Sequence, residues 1–160
     1  FLIKNLNLAL AKTYQMKSEL LEIIHQKISE KIQKLEQLIA ETRASNNDTK
    51  SSMGDKYETS REMLQQEINN LQIQLNEHLK SQKILKNINP NPHKIVTLGS
   101  LVETEKGMFF IAISLGELSF NQEKIFVISA ESPLAKAMNG KKTGESFVVN
   151  NLSQIIKNIW

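Results

Sequence analysis

Apolar positions recur at helical spacing through the first half of the chain. From about Tyr14 to Arg43, Leu21, Ile24, Ile28, Ile32, Leu35, Ile39 and Thr42 fall three or four residues apart. Glu, Lys and Gln fill the positions between them, residue types that favour helix and tolerate water. A helix of about 30 residues rises about 45 Å. The pattern resumes with Tyr57, Arg61, Leu64, Ile68, Leu71 and Leu75, alternating four and three like a heptad seam. Leu79 falls one place late, and the helix is expected to end near Lys86. Between the two stripes lies a polar interruption, Ala44–Asp55. The pattern therefore predicts an antiparallel helical hairpin, each arm burying its stripe on the other.

Pro90 and Pro92 in Asn87–His93 stop any helix and favour extended backbone before them. Beyond them the period becomes two. Ile95–Leu98, Leu101–Glu103, Met108–Ser114 and Ile125–Ser129 read as strands, with turns at Glu105–Gly107 and Asn121–Glu123. Ser132-Pro133 opens a short helix, Leu134–Met138, because Ser caps well and Pro suits the first helical position. Gly140 ends it, and Ser146–Val149 and Ile155–Trp160 read as closing strands. The expectation is an α+β chain: hairpin 1–86 with its bend at 44–55, linker 87–93, and a small antiparallel sheet domain with one short helix, 94–160.

Composition sharpens this picture in a few places. A mean hydropathy of −0.32 suits helices that are apolar on one stripe only. The formal net charge of +3 is compatible with a phosphate-rich partner without requiring one. The absence of cysteine excludes disulfides and thiolate zinc sites. No run of about 18 apolar residues is present to span a membrane. The opening FLIKNLNLALAK has no small-residue cleavage site and does not read as a signal peptide.

The run Ser132-Pro133-Leu134-Ala135-Lys136-Ala137, then Gly140-Lys141-Lys142 and Gly144-Glu145, resembles a string of the Gre family of bacterial transcript-cleavage factors. Gly99-Ser100-Leu101-Val102 is similar to the start of the same family domain. The order of parts, hairpin before sheet domain, is similar too. The resemblance implies an FKBP-like sheet domain that docks at the rim of the RNA polymerase secondary channel, in the cytoplasm. It implies that the hairpin passes down that channel and that acids at its tip help to hold a second Mg²⁺ beside the polymerase's own. The chain would then be no enzyme itself; the polymerase would cut the backtracked RNA. Two metals can activate the water and stabilise the leaving oxygen, and Mg²⁺ needs only one or two added carboxylates.

The bend departs from the family's pattern, D-L-x-E-N followed by A-E-Y. Anchored on Tyr57, its Asp falls on Lys50 and its Glu on Met53. The acids present are Asp48 and Asp55, the only aspartates in the chain, and Glu58. These three are the candidate tip carboxylates; Asp55 with Glu58 also fits a helix cap. Arg43, Lys50, Lys56 and Arg61 are candidates for contacts to nascent RNA, a solvated charged face being the ordinary meaning of such residues. His25, His78 and His93 have no metal-ligand spacing. The alternatives are a channel-binding inhibitor that does not stimulate cleavage, a coiled-coil adaptor with no polymerase partner, and an FKBP-like prolyl isomerase.

Overall fold

The computed structural model describes residues 2–51 and 58–160. Helix α1 spans Leu2–Ser51 and α2 spans Glu58–Lys86. Strands β1 (Leu101–Thr104), β2 (Gly107–Ala112), β3 (Gly116–Phe120) and β4 (Glu123–Ser129) follow, then α3 (Pro133–Met138), β5 (Ser146–Val149) and β6 (Leu152–Ile159). The chain divides into two units. One is His25–Lys83; the other joins Phe1–Ile24 to Ile84–Trp160.

In the unit His25–Lys83 the two helices pair. Ile28, Ile32 and Ile39 of α1 and Ile68, Leu71 and Leu75 of α2 are buried. These are stripe positions of the heptad-like pattern. Leu79, where the pattern slips, is exposed. Arg43, Asn46 and Asn47, late in α1, share a groove with Gln65 and Ile68, early in α2, as an antiparallel pair requires.

The bend predicted at 44–55 begins too early. Residues 44–51 are helical and extend α1 to Ser51. Asn46, Asn47 and Asp48 read as turn residues, yet each costs only about 0.7 kcal/mol in a helix. Burial of Asn46 and Thr42 on the inner face is consistent with the helix running on. No Gly or Pro lies between Ala44 and Ser51 to stop it. Residues 52–57 lie outside the described residues.

The other unit holds a six-stranded sheet in the order β3-β4-β2-β1-β6-β5. The predicted antiparallel sheet is mixed in one place: β2 pairs with β4 in parallel, from Met108↔Ile125 to Ala112↔Ser129. The cause is β3, which the strand pattern missed. The chain leaves β2, passes over the next position to form the edge strand β3, and returns as β4 between them. Two-residue turns with positive φ at both positions close two of the hairpins, Asn121-Gln122 and Asn150-Asn151. That is the geometry matched to strand twist, and Asn tolerates it. The predicted strand Ile95–Leu98 is reduced to one bridge, Ile95↔Lys142. A core of Val96, Val102, Phe109, Ile111, Phe147 and Ile156 receives Ala135 and Met138 of α3.

Candidate functional site

The run Ser132–Glu145 folds as one continuous passage. Ser132 is the N-cap of α3: its hydroxyl accepts from the Ala135 N–H at 3.2 Å, with Pro133 opening the helix. Gly140 follows the C-cap with φ +77° and donates to the Val96 carbonyl at 2.8 Å. The Val96 N–H returns to the Lys141 carbonyl at 2.9 Å. The Glu145 carboxylate then accepts from the Lys142 N–H at 2.5 Å. Gly144 donates to Ile156 at 2.8 Å, and Ile156 to Glu145 at 3.0 Å. The residues of this run that read as a family string thus tie α3, the Val96 segment and β6 together. Lys136 and Lys142 stay on the surface, Lys136 paired with Glu131 at 2.9 Å.

A second cluster in the same unit joins α1 to the sheet. Lys17 is fully buried, an unusual place for an amine. Its Nζ donates to the Asn91 carbonyl at 2.7 Å and to the Trp160 carbonyl at 3.1 Å. Burial pushes its pKa down to about 8. His93 sits close enough to feel that charge; burial first, then Lys17, lowers its pKa as well. The His93 Nδ1 lies 2.8 Å from the Ser100 hydroxyl, which also accepts from the Thr97 N–H at 3.0 Å. The same hydroxyl donates to the Ile95 carbonyl at 3.4 Å. Sequence reasoning missed this cluster. Its two partners are 74 and 143 residues from Lys17, and both are backbone carbonyls, which leave no side-chain signal.

No protein-family model matches the chain, and no curated protein sequence matches it. Among solved structures, the chain is similar to the GreA factor homolog 1 (Gfh1) protein of Thermus thermophilus. The identity is 15%, over 85% of this chain and 94% of that one, with a TM-score of 0.36. A second structure, of the transcription factor Gfh1, is 16% identical over 83% and 89%, with a TM-score of 0.35. Gfh1 of Thermus aquaticus is 17% identical over 84% and 92%, with a TM-score of 0.34.

The candidate tip residues are placed as follows. Asp48 is exposed near the end of α1, and Glu58 is exposed in the first turn of α2. Asp55 and Lys56 lie outside the described residues, as does the side chain of Lys50. No group of three metal-ligating side chains occurs among the described residues. Arg43 and Arg61 line two hollows between the helices. One, of about 250 Å³, is bordered by Arg43, Asn46, Asn47, Gln65, Ile68 and Asn69, with Gln72 beyond. The other, of about 300 Å³, is bordered by Asn46, Glu58, Arg61, Glu62 and Gln65. Among the described residues, the buried Arg61 Nε has no hydrogen-bond partner. Among the described residues, no helix is long and apolar enough to cross a membrane.

Proposed function

We propose that this chain regulates transcript elongation by binding bacterial RNA polymerase, in the manner of Gre factors. The observation that carries the reading is the run Ser132–Glu145. It is similar to the family string over its length, and it folds as a capped helix and turn locked to the sheet. The paired helices supply the second part of such a factor. In this reading the sheet unit makes the rim contact and the helices enter the secondary channel. Catalysis belongs to the polymerase; the chain contributes carboxylates and no active site of its own.

Asp48, Asp55 and Glu58 are the candidate carboxylates. Asp48 and Glu58 stand on different helices, and among the described residues nothing completes a metal cage around either. In this reading they add to a metal held by another protein, since Mg²⁺ keeps waters and accepts one or two outside carboxylates. Bound Mg²⁺ would supply a polarised water for hydrolysis. Arg43, Lys50, Lys56 and Arg61 would meet the RNA.

Cleavage of a stalled, backtracked polymerase complex, with and without the protein, tests the reading. Capture of core polymerase by the immobilised protein runs alongside it. Binding with altered cleavage, faster or slower, is expected. Asp48→Asn with Asp55→Asn keeps side-chain size and a similar helix propensity and removes two charges. It is expected to leave polymerase affinity and melting unchanged while abolishing the effect on cleavage. An undiminished effect in the double variant would reduce both aspartates to helix-end residues.

A further inference from the structure

We propose that the groove between the late part of α1 and the early part of α2 binds a single nucleotide. Its base lies among carboxamides and its phosphate against Arg43.

The lining is what sets this groove apart. Asn46, Asn47, Gln65, Asn69 and Gln72 bring five carboxamides to one hollow of about 250 Å³. Each carboxamide offers a donor and an acceptor side by side. Base edges carry the same alternation, and Asn and Gln are the side chains that pair with it in two-bond fashion. Three of these side chains already make hydrogen bonds along α2. Gln65 donates to Asn69 at 3.1 Å, and Gln72 donates to Asn76 at 3.5 Å. Ile68, buried to 5% exposure, is the only apolar residue among the described residues of the lining. It gives the flat face of a ring something to lie on.

Size and charge narrow the ligand further. A volume of about 250 Å³ equals roughly eight waters at about 30 Å³ each. It is below the usual range for drug-sized ligands, about 300–1,000 Å³. One base fits that space and a stack of bases does not. Among the described residues of the lining Arg43 is the only charged one, so the groove is cationic and accepts a phosphate. The neighbouring hollow differs: Glu58 and Glu62 flank Arg61 there and oppose a phosphate. This site does not depend on a polymerase partner, so its failure leaves that reading untouched.

The test is a titration of the full chain, followed by the side-chain carboxamide signals in nitrogen-15 spectra. The probes are the four ribonucleoside 5′-monophosphates, adenosine, inorganic phosphate and a single-stranded RNA tetranucleotide. Saturable shifts of the Asn47, Gln65 and Asn69 signals with at least one monophosphate are expected. Adenosine should bind between about threefold and tenfold more weakly than its monophosphate, the worth of one charged hydrogen bond at a half-open site. Arg43→Gln should remove that difference, and Asn69→Ala should weaken both. Both residues are exposed, so folding is not at stake, and an unchanged helical circular dichroism spectrum confirms it. Tighter binding of the tetranucleotide than of any monomer would identify the source as a strand; the reverse would identify a free nucleotide. Either supports the site. Equal shifts with phosphate alone, or no saturable shift with any probe, would overturn it.

Discussion

Lys17 shows what one residue does to stability. Its pKa is about 8 when folded and 10.5 in the open chain. Between these values the unfolded chain binds more protons, so stability rises with pH across that window. Below about 8 the full cost of burying the charge is present, on the order of 3 kcal/mol by the pKa difference. The two carbonyls it holds offset part of this. His93 has the same sign on the acid side: its folded pKa lies below 6.5, so its contribution falls away as pH drops through that range. Urea unfolding of the parent and of Lys17→Met, at intervals from pH 7 to 10.5, isolates the lysine. The parent is expected to gain stability relative to the variant as pH rises. Parallel curves would mean that the amine is not buried in solution. Gly99 makes a second residue-scale case. It has φ +87°, and an added Cβ would sit 2.9 Å from the Ile88 side chain and 3.5 Å from the His93 ring. Gly99→Ala therefore combines strain with a clash. It is expected to cost about 1–3 kcal/mol in thermal or urea unfolding. A cost below the error of the measurement would show that the Gly99 turn yields.

At the scale of elements, the sequence pattern was most legible where apolar residues are dense or regularly spaced. The helix stripes, the strands β1, β2 and β4, and the capped helix α3 all follow from it. The Ser132 cap gives a direct check: Ser132→Ala should cost about 1 kcal/mol, and Ser132→Asn should restore most of that. Equal losses in the two variants would assign the cost to something other than capping. Three elements were not legible, each for a physical reason. β3 carries only two apolar residues, Leu118 and Phe120, because an edge strand buries little. Ile95–Leu98 looks like a strand, yet only Val96 enters the core, and Ile95 and Leu98 are exposed. The end of α1 reads as a turn because Asn and Asp prefer caps by small margins, and those margins yield to packing of Asn46 and Thr42. The carboxamide groove was equally hidden. Its residues sit on two helices, and each set alone looks like an ordinary solvated face.

At the scale of the whole molecule, the boundary between parts is not at the prolines alone. Helix-patterned residues before Ile24 and after Lys83 belong with the sheet. Lys17, Leu20, Leu21, Ile24 and Leu85 are all buried in that unit. A fragment starting at Lys94 would lose them, together with the hydrogen bonds from Lys17 to Asn91 and Trp160. Excising His25–Lys83 and joining Ile24 to Ile84 through a short Gly/Ser linker keeps every one of these groups. Such a flexible link adds little closure entropy, since that term grows only slowly with length. The excised protein is therefore expected to unfold cooperatively, and at a higher temperature than the fragment from Lys94 onward. If the sheet unit makes the rim contact, the excised protein also retains measurable affinity for core polymerase. Without the paired helices it has no effect on transcript cleavage, and it competes with the full chain when added in excess. A folded excision protein that neither binds polymerase nor competes would move the binding surface to the helices.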